Sequence, residues 1–448
     1  MNDPRAYFHD LAEALQGLVR PGEAYTAWLE GERSDFARLN HNRVRQAGHV
    51  EQWELTLDWI EGRRHATGRT NLSGELDADR PLLEEMVTAL RAQRAHLEED
   101  PHLLYAEEVR STETVRGEKP DRAGGALPSG ERAIREIAEA ARGLDLVGLW
   151  AAGRLFRAFA NHLGQRNWYE AASFHLDWSA YLREDKAVKG GYAGFAWEPT
   201  LLHEKFAATR RALEAMAREP VTIAPGEYRA YLAPAALHEL FTILAWGGFG
   251  LKSHRTRQTA LIAMVAEGRR LHPDFTLAEH HSGGIAPPFT PSGHIKPERV
   301  TLIERGAYRD CLADPRSAKE YGAAVNAASE FPQSLEMAPG ALPAAEALAR
   351  LERGLAIHNL WYANYSDRKA CRLTGMTRFG TFWVEDGRVV APVNVMRFDD
   401  SLYRMLGENL LGITREREFL FEPNSYFSRS VASWHLPGAL IKDLRFTL

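Results

Sequence analysis

The sequence predicts an α+β fold with two related N-terminal α/β units and a larger C-terminal domain rich in antiparallel and mixed β-sheet. Three observations lead to this prediction: strand-like alternation near the N-terminus, a recurrence of the same element order, and hairpin signals in the C-terminal half. A chain of 448 residues exceeds what one hydrophobic core usually organises, which favours two or three domains. We place the two units at 1–120 and 121–219 and the C-terminal domain at 220–448.

The first unit begins with an amphipathic helix that Pro21 and Gly22 end. Further along, apolar Trp53 and Leu55 begin an alternation with polar residues, which is the period of a strand with one buried face. The same alternation includes Leu57 and Trp59. The predicted elements are strand-like segments at 23–32, 34–46, 51–62 and 63–72, followed by a helix at about 80–98.

The second unit repeats this order after a linker at 118–131 that is rich in Gly and Pro. The stretch "LTLDW" at 55–59 has a counterpart in "FHLDW" at 174–178, and "FARLNHN" at 36–42 has one in "FRAFANH" at 156–162. The predicted elements are a helix at 132–142, strand-like segments at 144–153, 154–162, 167–182 and 190–197, and a helix at 201–218.

From about residue 220 the sequence pattern changes, and helix and strand signals no longer follow the order of the two N-terminal units. Asp386-Gly387 lies between apolar runs and predicts a hairpin. We expect a helix at about 401–411 and a closing strand at 439–448.

Composition excludes several classes of protein. The formal net charge is −5, which argues against a protein built mainly to hold nucleic acid. The sequence has no apolar run of membrane-spanning length and no signal-peptide pattern at its start, so we expect no membrane association. Two cysteines, Cys311 and Cys371, make no disulfide framework and fit a reducing cytoplasm.

The stretch 233–250, "APAALHELFTILAWGGFG", begins like a helical zinc-protease signature and then lacks its second histidine. After His238 and Glu239, the two spacings that could supply one hold Thr242 and Ile243. The simplest interpretation is a polar pair on an amphipathic helix. In this interpretation the apolar residues that pack inward are Leu237, Leu240, Phe241 and Leu244.

A rearranged zinc site is the alternative interpretation of the same helix. It would use His238 with Glu239 as general base and would draw further ligands from His254 and from the pair His280-His281. A histidine pair on a loop is more often exposed to solvent, and closeness in sequence does not bring ligands together.

Two other motifs are weak. Ser366 opens a Ser-x-x-Lys pattern, which is short and frequent and has no partner motif here. Cys371 lies between Lys369 and Arg372, which could lower the pKa of its thiol, but an unreactive thiol at a strand edge is the more common case.

Longer stretches resemble a known family. "FARLNHNRVRQ" at 36–46, "ELTLDWIEGRRHATGRTN" at 54–71 and the run from "GLAIHNL" to "MLGEN" at 354–409 resemble the TldD/PmbA family, and specifically its TldE (PmbA) branch. The resemblance extends from about residue 34 to the end. It rests on the order of the elements and not on any single motif. It implies that a TldD-type subunit holds zinc with a HExxxH helix and a C-terminal cysteine. It also implies that a TldE-type subunit lacks these ligands and pairs with TldD in a peptidase that acts on unstructured polypeptides.

The resemblance implies a non-catalytic subunit here, since the second histidine is missing and the segment 410–438 contains no cysteine. His238 and Glu239 would be vestiges of the catalytic site, and this chain would hold no cofactor while a TldD-like partner holds zinc. The expected ligand is an unfolded peptide, with no nucleic acid or membrane as partner. The alternatives are the rearranged metallopeptidase and a homodimeric binding or scaffold protein; a homodimer could also form when the chain is alone.

A peptide groove is expected where Gly and Pro let the backbone approach a ligand closely and where an open sheet edge can pair with an extended chain. We assign this role to two stretches, the loop 280–293 and the segment 366–382. The candidate groove residues are His281, Gly283, Gly284, Ser366, Arg378 and Phe379.

Overall fold

The N-terminal half of the computed structural model contains two successive units of a helix, three long strands and a helix. The structure describes residues 3–117, 127–184 and 186–447, so the predicted boundary at 120 and most of the linker at 118–131 lie outside the described residues. The first unit comprises α1 (Pro4–Leu18), β1 (Glu23–Asn40), β2 (Arg43–Glu61), β3 (Arg64–Leu72) and α2 (Leu76–Arg94), followed by a short β4 (Glu113–Arg116). The second comprises α3 (Gly130–Ala140), β5 (Asp145–Asn161), β6 (Arg166–Arg183), β7 (Lys186–Gly194) and α4 (Pro199–Met216).

The prediction of one strand at 34–46 is wrong, because this stretch contains a hairpin turn. His41 and Asn42 have φ values of 50° and 55°, which is the conformation of two-residue hairpin turns that join twisted strands. β1 therefore continues to Asn40 and β2 begins at Arg43. In the second unit the predicted break between 144–153 and 154–162 is also wrong, since β5 pairs without interruption with β1 and with β6.

The strands of both units form one sheet in the order β3-β2-β1-β5-β6, and both β7 and β4 pair with β6. β1 and β5 are antiparallel neighbours, with Thr26 opposite Asn161 and Leu39 opposite Gly148. The equivalent strands of the two units thus meet at the centre of the sheet, so an approximate two-fold axis relates the units.

One face of this sheet packs against the helices. The predicted alternation is confirmed, since Trp53, Leu55, Leu57 and Trp59 are each at most 2% exposed and pack with residues of α1 and α2. Burying apolar surface of this kind is the main favourable term in folding.

The other face packs against the C-terminal domain. Leu155 and Phe159 of β5 share a buried cluster with Ile285 and Phe289. The hydroxyl of Tyr169 donates a hydrogen bond of 2.5 Å to the carbonyl oxygen of Ile285.

The C-terminal domain combines short helices with a large mixed sheet, in which strands of the described residues run in the order β11-β10-β9-β12-β20-β8-β13-β16-β17, with β14, β15, β18 and β19 attached to it. Its helices are α5 (Pro234–Ala245), α6 (Leu251–Arg255), α7 (Ile262–Glu267), α8 (Pro315–Tyr321) and α9 (Ala347–Leu351). Its first strands are β8 (Gly226–Leu232), β9 (Leu277–His280), β10 (Arg299–Glu304), β11 (Ala307–Tyr308), β12 (Ser334–Met337) and β13 (Gly354–Ile357). The remaining strands are β14 (Trp361–Asp367), β15 (Arg372–Met376), β16 (Thr381–Glu385), β17 (Arg388–Pro392), β18 (Arg397–Ser401), β19 (Leu410–Phe421) and β20 (Ser433–Phe446).

The α+β class is confirmed, and so is the hairpin at Asp386-Gly387, which joins β16 to β17. The helix predicted at 401–411 is present but shorter, covering 402–408 and ending in a π-helix at Arg404–Glu408, because the sheet engages the chain on both sides of it through β18 and β19. No helix of the described parts is long and apolar enough to cross a membrane.

A buried arginine fastens the segment between β19 and β20 to the N-terminal sheet. Arg429 is 3% exposed, and its guanidinium donates to the backbone carbonyl and hydroxyl oxygens of Ser173, at 3.0 and 2.8 Å. It also donates to the hydroxyl of Ser34, while its backbone N–H donates to a carboxylate oxygen of Glu32. Burial lowers the pKa of Arg429 to about 10, although Glu32 acts in the opposite direction. The arginine therefore stays charged and holds the two domains together.

Candidate functional site

Helix α5 carries the His-Glu pair at the border between the two domains. Pro234 occupies its first turn, where the missing N–H costs no hydrogen bond. The predicted inward packing is confirmed, since Leu237, Leu240, Phe241 and Leu244 are all fully buried. The opposite side of the helix is left to face a cavity.

His238 is enclosed by protein neighbours. Its ring packs edge-on against Trp434 with 4.2 Å between ring centroids, and its Nε2 atom lies 3.3 Å from the hydroxyl oxygen of Thr242. Burial lowers the pKa of His238 to about 4, so the imidazole is neutral at pH 7. Ile243, the other position at which a second histidine would be sought, is 5% exposed and belongs to the core.

The histidines of the alternative zinc set point to different partners. Nε2 of His254 donates to the carbonyl oxygen of Gly248 at 2.8 Å. Nδ1 of His280 lies 3.1 Å from a carboxylate oxygen of Glu336. Within the described ranges, no group of three or more His, Cys, Asp or Glu side chains could hold a metal ion. His238, His254 and His280 are thus not brought together.

The cysteines do not supply a ligand either. Cys311 and Cys371 are both buried and unpaired with each other, and burial raises the pKa of the Cys371 thiol to about 12. Burial outweighs the opposing charges, which come from Arg269 and Arg368 instead of the predicted Lys369 and Arg372. The residues around His238 and Glu239 do not fit a catalytic zinc ion, which needs three protein ligands and an open position.

A cavity of about 580 Å³ lies beside the first half of α5, between the two domains. β6 and β7 contribute His175, Asp177 and Lys189 to its wall, and α5 contributes His238 and Glu239. Its size falls in the range of ordinary ligand-binding sites.

Two carboxylates of this wall share one electrostatic environment. Although the Asp177 side chain is exposed to the cleft, the surrounding protein partly desolvates its carboxyl and raises its pKa to about 6; Lys189 opposes this rise and the charge of Glu422 adds to it. Burial raises the pKa of Glu239 as well, with the same two neighbours acting in the same directions. Asp177 and Glu239 therefore each lie close enough to Lys189 and Glu422 to be affected by their charges.

Sequence reasoning missed His175, Asp177 and Lys189 as site residues, although Asp177 marks the repeat. A pattern that could have identified them is present in β6. His175 and Asp177 are polar residues two positions apart, between apolar Phe174, Leu176 and Trp178 of β6, and residues at this spacing share one face of a sheet.

The predicted loop candidates form a turn that the N-terminal unit clamps. His281–Gly283 adopts a 3₁₀ turn, and the guanidinium of Arg116 donates to the carbonyl oxygens of His281, Ser282 and Gly284. Burial lowers the pKa of His281 to about 4.

Close packing within the chain explains the glycine at position 284. Gly284 is buried, and a Cβ atom there would collide with the hydroxyl oxygens of Ser334 and Ser433. Contact of this loop with a peptide stays a prediction.

The remaining candidates fall into two groups. Ser366 donates a hydrogen bond of 2.9 Å to a carboxylate oxygen of Asp399 and is held within its own sheet. Arg378 stacks on Phe379 at 5.0 Å, and the ammonium of Lys189 lies 4.7 Å from the ring centroid of Phe379. Phe379 thus contacts a residue of the cavity wall.

The fold and the cavity define the chain as a two-domain α+β protein in which a helix that carries a His-Glu pair borders an interdomain cleft. Residues 225–448 match the family described as the PmbA/TldA metallopeptidase C-terminal domain. The chain belongs to the TldD/PmbA family, as its sequence pattern predicts.

Solved structures share the whole fold. TldE from Thermococcus kodakarensis superimposes with a TM-score of 0.77 at 16% identity, covering 99% of this chain and 100% of that one. A protein of Thermotoga maritima, described as a candidate modulator of a DNA gyrase, gives 0.75 at 14% identity, covering 98% and 100%. A protein of Bacteroides thetaiotaomicron with a similar description gives 0.69 at 13% identity, covering 100% and 99%. The fold is TldE-like, while a search of curated proteins gave no match by sequence.

Proposed function

We propose that this chain is the non-catalytic, TldE-type subunit of a heterodimeric metallopeptidase that acts on unfolded peptides. One observation carries the proposal: α5 keeps His238 and Glu239 at the interdomain cavity, but Thr242 and Ile243 occupy both positions where a second histidine is expected. A single imidazole that contacts a threonine and a tryptophan lacks the further protein ligands that a zinc site needs.

The missing ligands assign the chemistry to another chain. A zinc hydrolase needs the metal to polarise a carbonyl group and to activate water, and we assign both roles to a TldD-type partner. This subunit would contribute walls of the enclosure and contacts to the substrate. The two free cysteines support the cytoplasm as the expected compartment.

An open strand edge supports the proposed contact with an extended peptide. Among the described strands, β14 pairs only with β15, so its other edge presents unpaired backbone groups. Trp361 and Tyr362 at its start are 36% and 79% exposed, and Arg378 stacks over Trp361 at 4.6 Å. Pairing of a peptide with such an edge reads backbone more than side chains, which suits a substrate that is unfolded.

The test is hydrolysis of an unfolded peptide by this chain alone, by a TldD-type partner alone and by the two co-expressed, with the zinc content of each chain measured. We expect hydrolysis to be strongest for the pair, to be lost with a chelator, and to accompany zinc in the partner only. Stoichiometric zinc and chelator-sensitive cleavage by this chain alone would instead establish a rearranged active site. No complex and no gain in hydrolysis would favour a homodimeric scaffold.

A further inference from the structure

The interdomain cavity contains carboxylates that the protein itself leaves without close partners. In the described residues, neither Asp177 nor Glu239 accepts a hydrogen bond or forms a close ion pair; their electrostatic neighbours are Lys189 and Glu422. Lys189 is drawn towards the face of Phe379. Asp177 is exposed at this cleft and Glu239 is half-buried, so both carboxylates remain open to hydrogen-bond donors of a ligand.

A second and independent observation comes from the same face of β6. His175 is 4% exposed, and its Nε2 atom is buried without a hydrogen-bond partner. The residue belongs to the wall of the cavity and lies two positions from Asp177, so both side chains leave the strand on the same side. Burial, helped by the charge of Arg429, lowers the pKa of His175 to about 3. The ring is therefore neutral, and one of its nitrogen atoms can accept a hydrogen bond.

Two carboxylates and a neutral imidazole are hydrogen-bond acceptors, so together they match a cation that carries several N–H donors. A primary ammonium group has three donors and no acceptor. Hydrogen bonds between an ammonium and a carboxylate are about twice as strong as neutral ones. A guanidinium is planar and favours bidentate contact with one carboxylate, whereas here the carboxylates come from two different elements, β6 and α5.

We propose that the cavity binds a primary ammonium group of a peptide, either its N-terminal amine or a lysine side chain, between Asp177 and Glu239. This inference rests on the proposed function for the peptide nature of the ligand, and it gives the vestigial helix a role in substrate selection. Glu239 then serves as a contact for the ligand's charge. Lys189 competes with the ligand for the same carboxylates.

The test is calorimetric titration of the full-length chain, without a partner, with three flexible Gly/Ser hexapeptide amides. One has a free N-terminus, one is N-acetylated, and one is N-acetylated and contains a single lysine. We expect at least one cationic peptide to bind about tenfold or more tightly than the neutral one, the gain expected for one charge-assisted hydrogen bond. The cationic peptide that binds identifies the source of the ammonium group.

Variants make the result specific to the cavity. Asp177→Asn and Glu239→Gln should each weaken binding about tenfold, whereas Glu320→Gln, a change of an exposed carboxylate elsewhere, should leave it unchanged. Lys189→Met should tighten binding, a gain that misfolding cannot produce. Equal binding of neutral and cationic peptides, no binding of any peptide, or unchanged affinity in Asp177→Asn and Lys189→Met would overturn the proposal. Because no partner and no hydrolysis are involved, such a failure would leave the test of the proposed function intact.

Discussion

The Nε2 atom of His238 lies 3.3 Å from the hydroxyl oxygen of Thr242, one turn further along α5. Residues four apart share one face of a helix, so Thr242 stands where a second zinc-binding imidazole would project. Ile243, one position later, belongs to the core instead. The helix therefore retains the geometry for a His-His pair at one spacing and excludes it at the other.

Thr242→His should create a weak zinc site, because two imidazoles on one helix face are a recurrent metal-binding pair. We expect the variant to bind zinc at least about tenfold more tightly than the wild type, a gain of about 1.4 kcal/mol, in a competition assay with a chromophoric chelator. Ile243→His is the matched comparison. It should gain no affinity and should lower the free energy of unfolding by about 1–3 kcal/mol, since it buries a polar ring in an apolar core. Identical zinc affinity for Thr242→His and the wild type would show that Trp434 holds His238 too firmly to bind metal.

Arg429→Ala should strongly destabilise the chain. Removing the guanidinium leaves Glu32 buried without its counter-charge and removes donors to Ser173 and Ser34. Loss of one partner from a buried charged network costs about 3–5 kcal/mol, which urea denaturation would detect as a lower midpoint. Arg415→Ala is the control, because Arg415 is exposed and makes one long hydrogen bond to a backbone carbonyl. Equal midpoints for the two variants would contradict the role given to Arg429.

The stability of the chain should fall in acid because histidines of the cavity wall, among them His175 and His238, are buried in their neutral form. The pKa is about 4 for His238 and about 3 for His175 in the folded chain, against about 6.5 when unfolded. Their contribution is complete above pH 6.5 and is lost as the pH falls, by up to about 1.4 kcal/mol per pH unit for each group. His175→Gln and His238→Gln combined should flatten the dependence of the unfolding free energy on pH between 6.5 and 4.5. The control His96→Gln, at an exposed position, should leave this pH dependence unchanged. If the double variant also leaves it unchanged, burial of the two histidines is not its cause.

Binding of a lysine-containing peptide should strengthen as the pH rises through about 6. Asp177 has a pKa of about 6, so it is largely neutral at pH 5 and charged at pH 7, whereas lysine stays protonated throughout. The groups that act on Asp177 from neighbouring elements are Lys189 on β7 and Glu422 after β19; Glu239 and the neutral His175 line the same wall. Titrations at pH 5, 6 and 7 should show the rise in the wild type and its loss in Asp177→Asn. If the affinity of Asp177→Asn rises with pH by the same amount, the group that titrates is not Asp177.

The sequence determined the class of fold and much of its local structure. Alternation at Trp53, Leu55, Leu57 and Trp59 requires a strand with one buried face whatever lies above it, and Asp-Gly at 386–387 closes a hairpin through local backbone preference. The inward face of α5 follows from helical spacing in the same way. These predictions depend on periodicity, which is a property of neighbouring residues alone. The helix expected at 401–411 is confined to 402–408, because the strands on either side of it pair with distant β20.

Only the tertiary structure decided what surrounds the His-Glu pair. The sequence could show that Thr242 and Ile243 replace histidine, but not that Trp434, nearly two hundred residues away, packs on His238. It gave no reason to place Asp177 and Glu239 in the wall of one cavity, since these residues belong to β6 and α5 of different domains. It also suggested a ligand role for His254 and His280, whose partners in the fold are Gly248 and Glu336. A binding site depends on the convergence of side chains in space, and convergence depends on long-range packing that spacing along the chain does not encode.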